Sequence, residues 1–246
     1  MCTIGIARKL DLIFKNRDKD SFTAEEIVAT KDFVAVRTQG DQYYSLGVNK
    51  DGCGFVSTAI NTPAWTRLAE AGEREKAKVL LARETQGLVC PTFIISQMLL
   101  HVKTIDEWIS ALEKNQSNFR GYNILMADLK SAQVVEVYQQ QRIVRDLFEK
   151  DAITNHFQDI KFGPRSFEDY PSSFTRKHYA QESMKEAESL IDIESMLKPK
   201  DQKRQEMIWR RGNFFTVSTS ILDLSHKCLL YARQIQDEYQ EIRLVT

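Results

Sequence analysis

The sequence predicts an α+β fold in which two stacked, mainly antiparallel sheets lie between helix layers, as one domain over residues 1–246. Three observations predict it. Runs with the period-two alternation of strands fall into two groups, one before Pro63 and one after Gly121. Helix formers are segregated into the stretches between and after those groups, the order expected of a layered α+β chain. No repeat, low-complexity tract or Gly/Ser linker divides the chain, which holds only 10 Gly and 5 Pro.

The elements follow in order. Residues 2–8 alternate, with Cys2, Ile4 and Ile6 facing one way, and 12–14 form a second short apolar run. Asp11-Leu12 reads as the tight turn of a hairpin between them. Residues 32–38 and 43–46 flank Gln39-Gly40-Asp41, a second hairpin, and 53–60 form a strand after the turn Asn49-Lys50-Asp51-Gly52. Residues 72–85 are rich in Glu, Lys, Arg, Ala and Leu, all helix formers. Pro91 opens a helix with Ile94, Ile95, Met98, Leu99 and Val102 at helical spacing. Thr104 with Glu107 predicts a capping box ahead of Trp108, Ile109 and Leu112. Strands return at 122–127, 133–138, 142–148 and 153–157. Ser172 or Ser173 caps a helix running to about residue 191. Residues 198–211 read as a solvated helix with loops, and 213–221 and 227–231 as closing strands.

Composition narrows the function classes. The 246 residues are 42% hydrophobic, enough for a substantial core. Their 34 basic and 34 acidic side chains cancel, which argues against a nucleic-acid partner reached through a broad basic surface. No apolar run approaches the length of a membrane span, so no membrane partner is expected. The first residues lack the pattern of a signal peptide, so a cytoplasmic protein with four reduced cysteines (Cys2, Cys53, Cys90, Cys228) is expected. These cysteines form no CxxC pair, and neither metal nor cofactor is expected.

Cys2 is the first candidate for chemistry. Removal of Met1 is expected when residue 2 is this small, and leaves a thiol beside a free α-amine. Such an amine titrates near 7.7–8.0 and can serve as a base at neutral pH. Nucleophile and base then share one residue. The alternative is a buried strand cysteine with no role. Lys15-Asn16-Arg17-Asp18 closes the first hairpin near the chain start, where the Asp18 carboxylate could orient the α-ammonium; an ordinary polar turn is the competing reading. Asn61, just past an apolar strand, can present its amide to an oxyanion, or simply make the turn before Pro63. Asn155 is a second such donor. His156 beside it reads as a structural hydrogen-bonder rather than a partner of Cys2. Arg176 lies in the second turn of its helix, where a surface arginine is the plain alternative.

Taken in order, Met-Cys-Thr, KNRD, GVNKDGCGFVSTAIN-P, YNILMAD with VVEV, ITNHF and SSFTR resemble the N-terminal-nucleophile (Ntn) hydrolases. Within them the chain is similar to the acyl-coenzyme A:6-aminopenicillanic acid acyltransferase family, and more distantly to bile salt hydrolases and penicillin V acylases. The resemblance implies a four-layer αββα fold. It implies Cys2 as nucleophile with its α-amine as base, Asp18 holding that amine, Asn61 and Asn155 at the oxyanion hole, and Arg176 near the nucleophile. Lys15 stands where bile salt hydrolases carry arginine, and Asn49-Lys50 where Asn-Glu is usual. Only Met1 removal would expose Cys2, with no propeptide ahead of it.

The implied activity is cleavage of a non-peptide amide of a small N-acyl compound through a Cys2 thioester. An acyltransferase moving an acyl group to an amine shares that thioester, and acyl-coenzyme A would then be a substrate rather than a cofactor. A glutaminase of the glutamine amidotransferase kind and a non-catalytic binding protein are the remaining alternatives. Phe22, Tyr43, Trp65 and Phe174 read as core aromatics with a pocket-lining alternative. Assembly as a homo-oligomer is left open.

Overall fold

The structure, a computed structural model, describes residues 2–19, 24–208, 213 and 215–245. Met1 and Phe22 therefore lie outside the described residues. One six-stranded antiparallel sheet is built from β1 (Cys2–Ala7), β2 (Leu12–Lys19), β10 (Lys150–Ile153), β11 (Phe215–Asp223), β12 (Cys228–Ala232) and β13 (Gln240–Ile242), in the order β10-β1-β2-β11-β12-β13. A seven-stranded antiparallel sheet takes β3 (Glu25–Ala29), β4 (Phe33–Thr38), β5 (Leu46–Asn49), β6 (Gly54–Ala59), β7 (Phe119–Ala127), β8 (Ala132–Gln139) and β9 (Gln141–Asp146) in sequence order.

Side-chain alternation makes this a four-layer structure. Ile4, Ile6 and Ile13 of the first sheet meet Val34, Val36, Val48, Val56 and Leu125 of the second in one buried cluster between the sheets. The outer face of the second sheet, with Phe55, Ile124 and Val135, is covered by α3 (Pro91–Met98) and α4 (Ile105–Lys114) through Ile95, Trp108 and Leu112. Leu12, Phe14 and Ile221 on the outer face of the first sheet pack under α5 (Pro171–Lys185) and α6 (Leu190–Leu197). The order is α, β, β, α, as expected. Gly47 sits where the end of α3 packs closely on the sheet: a Cβ there would stand 2.9 Å from both Ala35 Cβ and Leu99 Cδ2. A helical pair, α1 (Pro63–Glu70) and α2 (Arg74–Glu84), adds a small cluster of its own around Trp65 and Ala77. A short α7 (Gln202–Ile208) lies in the charged stretch as expected.

Several boundaries differ from the sequence expectation. The first hairpin turns through a 3₁₀ turn at Arg8–Leu10 and Asp11 at φ 53°, and β2 then continues to Lys19. Lys15-Asn16-Arg17-Asp18 is therefore buried strand and not a polar turn. The strand expected at 43–46 forms instead as Leu46–Asn49, because Tyr44 gives its backbone N–H to Ser96 Oγ at 2.7 Å. The edge strands β3 and β13, and helix α1, were not expected. Thr62 caps α1 by accepting from Trp65 N, with Pro63 in the first turn.

The capping box at Thr104 does not form. Asp128 Oδ2 accepts the Ile105 N–H at 3.3 Å, while Glu107 accepts from Lys103 N. The expected strand 153–157 stops at Ile153, since the Asn155 N–H is taken by Ser173 Oγ rather than by a neighbouring strand. Neither Ser172 nor Ser173 is the cap of α5, which starts at Pro171 after Tyr170 and ends at Lys185. The capping box of this region belongs to α6, between Ser189 and Asp192.

Candidate active site

Cys2 begins β1, an inner strand paired with β2 (Cys2 opposite Arg17) and with β10. It is 8% exposed, and its exposed edge lines a cavity of about 240 Å³ at one end of the inter-sheet core. Its backbone nitrogen donates to Asn155 Oδ1 at 2.8 Å. Asn155 sits just past β10, and the loop carrying it is pinned from two sides. Asn123 Nδ2 on β7 donates to the carbonyls of Thr154 and His156 at 3.1 and 3.0 Å, and Ser173 Oγ on α5 accepts the Asn155 N–H at 3.0 Å.

Arg176, one turn further along α5, is 1% exposed and points inward. It donates to Asn155 Oδ1 and Thr3 Oγ1, each at 3.1 Å, and its guanidinium lies 3.6 Å from Asp18 Oδ2. The other carboxylate oxygen of Asp18 accepts from Thr216 Oγ1 on β11 at 2.8 Å. The structure thus brings Cys2, Asp18, Asn155 and Arg176 into one buried group around the Cys2 nitrogen, not the thiol alone. Removing either partner of an ion pair this deeply buried leaves the other charge uncompensated.

The two asparagines are placed differently. Asn61 lies half-buried on the cavity wall with Cys2, and its side-chain amide has no hydrogen-bond partner among the described residues. Asn155, expected as a second oxyanion donor, has both amide hydrogens engaged, one by Thr58 Oγ1 at 2.6 Å and one by Ala59 O at 2.8 Å. It ties β6 to β1 and presents only its carbonyl to Cys2. His156 is not at the thiol. Its Nδ1 faces Ser173 Oγ at 3.0 Å and its ring stacks on Phe174 at 4.0 Å. Burial, helped by Lys177 and Arg176, lowers its pKa to about 4 and keeps it neutral.

The electrostatics of the thiol come from the second half of β2. Lys15, Arg17 and Lys19 alternate with Asn16 and Asp18, so all three cations continue the inward face begun by Ile13. Burial alone would raise the Cys2 pKa; the buried cations, Lys15 foremost and then Arg17, pull against it and against Asp18, and the net shift is downward. Lys15 is itself lowered to about 8 by burial, against the pull of Cys2 and Glu25. The period-two spacing of these cations was the signal that could have placed them. Tyr43 and Trp65 line the cavity as well, whereas Phe174 packs on His156. Among the described residues, no three His, Cys, Asp or Glu side chains converge as a metal site, and no helix is long and apolar enough to cross a membrane.

Residues 75–234 match the family described as acyl-coenzyme A:6-aminopenicillanic acid acyl-transferase. The chain belongs to that family. No curated protein matches it. Among solved structures, this acyl-transferase family member is similar to a mutant of the conjugated bile acid hydrolase from Clostridium perfringens, at 13% identity and a TM-score of 0.63, covering 99% of this chain and 92% of that one. The penicillin V acylase from Agrobacterium tumefaciens has 11% identity and a TM-score of 0.55, covering 99% and 86%. The Caenorhabditis elegans ortholog of N-acylethanolamine-hydrolyzing acid amidase has 14% identity and a TM-score of 0.54, covering 91% and 93%. These likenesses establish the fold as that of the Ntn hydrolases, and the family is one of enzymes.

Proposed function

We propose that this chain is an N-terminal cysteine amidohydrolase, one catalytic domain whose mature form starts at Cys2 and which cleaves a linear, non-peptide amide of a small N-acyl compound. One observation carries the reading. The Cys2 nitrogen is fixed by Asn155 Oδ1 at 2.8 Å while the thiol of the same residue lines a cavity and has its pKa lowered. Amide cleavage by the bile acid hydrolase, the acylase and the acid amidase named above supports the same chemistry. The four free thiols fit a reducing, cytoplasmic setting.

In this mechanism the thiol passes its proton to the α-amine, and the thiolate attacks the amide carbonyl carbon. Asn61 donates to the oxyanion that forms, an interaction typically worth about 10²–10³ in rate. Asp18, Asn155 and Arg176 orient the amine, which as ammonium protonates the departing nitrogen when the C–N bond breaks. Water then attacks the Cys2 thioester, releasing the carboxylic acid and restoring the thiol. No cofactor takes part. The family's description as an acyl-transferase favours a second reading, in which an amine rather than water resolves the thioester and an acyl-coenzyme A can load it.

The test is a panel of N-acyl amides assayed for release of free amine, with and without added acceptor amines. Release by the wild type, absent in Cys2→Ala, is the expected result; new amide products would select the transferase. Activity surviving Cys2→Ala overturns the mechanism. Intact mass should also show loss of Met1, since an acylated nitrogen at Cys2 cannot act as the base.

A further inference from the structure

We infer that Lys15 is a self-acylation site: its side-chain amine takes the acyl group from the Cys2 thioester and keeps it as an amide, which ends turnover in that molecule. The inference rests on the reading of Cys2 as the nucleophile and adds a covalent limit to the same site.

Register brings the two residues together. Cys2 pairs with Arg17 and Ile4 with Lys15, so Lys15 is the diagonal neighbour of Cys2 across β1 and β2 and shares its face. Diagonal neighbours stand about 7–8 Å apart, a span that a lysine side chain covers. Both residues line the cavity. Among the cationic side chains acting on the thiol, Lys15 acts most strongly. Its amine is lightly tethered. Nζ donates to Ser45 O at 3.2 Å, and among the described residues no carboxylate lies within 4.0 Å of it.

The surroundings keep that amine close to losing its proton. The charges facing it are Cys2 on β1, Arg17 and Lys19 on its own strand, and Glu25 on β3, with Asp41 and Arg120 elsewhere in the cavity wall. Glu25 is taken by Arg17 and by the Tyr231 hydroxyl. Burial lowers the Lys15 pKa to about 8 against the pull of Cys2. Acylation turns the thiolate into a neutral thioester, so that pull disappears at the moment an acyl carbonyl arrives beside Nζ. A lysine desolvated in this way is an activated nucleophile.

The transfer needs no co-reactant. Neutral Nζ attacks the thioester carbonyl carbon, the C–N bond forms, the C–S bond breaks, and the proton shed by the new amide passes to the departing sulfur. An amine held beside its target competes with water through proximity. The Cys2 nitrogen, the other amine near that carbonyl, is held by Asn155 Oδ1. The product has a free thiol, but Lys15 has lost its charge and its acyl group stays in a cavity of about 240 Å³. The thiol has then lost its strongest cation and the next substrate its room.

The experiment loads the thiol with p-nitrophenyl acetate, which needs no knowledge of the natural amide. After reaction, hydroxylamine strips thioesters and spares amides, and peptide mass spectrometry places the stable acetyl groups. Wild-type protein should carry one on Lys15, and Cys2→Ala should form it at least about tenfold more slowly while surface lysines react as before. Nitrophenolate release should decay at least about tenfold during turnover in the wild type and hold steady in Lys15→Arg, which keeps the charge but never deprotonates. Lys15→Met, lacking the amine altogether, should hold steady as well. Turnover at Cys2 with no stable acetyl on Lys15 overturns the inference and leaves the nucleophile intact. A stable acetyl on the Cys2 nitrogen instead, or one on Lys15 that forms equally fast in Cys2→Ala, also overturns it. Nitrophenolate release no faster than in Cys2→Ala, from protein that has lost Met1, overturns the Cys2 reading and the inference with it.

Discussion

Each end of the β sandwich buries a cysteine next to a buried asparagine, and the two ends treat them oppositely. At one end Cys2 lies against Asn155; at the other, where β5 turns into β6, Cys53 lies against Asn49. Both asparagines are almost fully buried and fully hydrogen-bonded. Asn49 bonds only to backbone: it donates to Leu99 O and Val102 O at 3.0 and 2.7 Å, and accepts from Asp51 N and Cys53 N, each at 3.0 Å. Asn155 instead divides its bonds between backbone, Ala59 O and the nitrogen of the thiol-bearing residue, and the side chains of Thr58 and Arg176. Burial drives the Cys53 thiol up to about 12, with Asp128, Asp51 and Glu107 adding to it. At Cys2 the net shift is downward instead, with Lys15 and Arg17 pulling against the same burial effect. Buried polar groups that serve the backbone build the scaffold. Those that also bond one another beside a thiol surround the candidate site.

The sharpest way to break this contrast is alkylation. A thiol near 12 and one below 9 differ by at least about three pH units, or about a thousandfold in thiolate at pH 7. The more basic thiolate is the better nucleophile and recovers part of that difference. Cys53, 0% exposed, loses it again because no reagent reaches it without local opening. Iodoacetamide followed by peptide mass spectrometry should therefore modify Cys2 about a thousandfold faster than Cys53. Cys228, raised to about 11 by burial, Asp223 and Glu241, should lag as well. Equal rates at Cys2 and Cys53 would remove the electrostatic distinction between the ends.

A pair of asparagine variants comes next. Asn155→Ala frees the Cys2 nitrogen and leaves Arg176 and Thr58 short of a partner, so kcat should fall about a hundredfold on the assayed amide, a loss comparable to that of other preorganising groups. Asn49→Ala leaves two carbonyls and two N–H groups unpaired, with a cost of about 2–4 kcal/mol in urea unfolding. Its kcat per folded molecule should stay within about twofold of wild type. If Asn49→Ala lowers kcat as far as Asn155→Ala, the division between scaffold and reaction fails.

The sequence made the scaffold easier to see than the site. Strands such as Phe33–Thr38 and Gly54–Ala59 were legible as short apolar runs between turn residues, with Val34, Val36 and Val56 facing the other sheet and Phe33, Ala35 and Phe55 facing the helices. The second half of β2 was not, since burial there follows a polar alternation: Lys15 and Arg17 face the thiol while Asn16 bonds Leu197 O behind it. A turn is the commoner fate of KNRD. Edge strand β3 carries Glu25 and Glu26, and its pairing with β4 shows only in three dimensions. Cys2, Asp18 and Arg176 were candidates from their positions, the resemblance implied their roles, and the structure brings them together. The Asn155 amide could not be read from a motif, because its partners Thr58 and Ala59 lie nearly a hundred residues away.

The smallest effect isolates the cation that separates the two cysteines. Lys15→Met keeps the length of the side chain and removes its charge, so the Cys2 thiol should titrate about one pH unit higher in iodoacetamide kinetics, about tenfold less thiolate at pH 7. The same lysine gives a second, independent readout. Its folded-state pKa, about 8, lies below the unfolded value of 10.5, so between those two pH values the unfolded chain binds more protons. Wild-type stability should therefore rise with pH across that window relative to the Lys15→Met protein, by about 3 kcal/mol at most. Below pH 8 the variant should be the more stable of the two, because it no longer buries an ammonium whose one hydrogen bond among the described residues is to Ser45 O. A thiol that titrates unchanged in Lys15→Met would show that Lys15 does not set its low pKa.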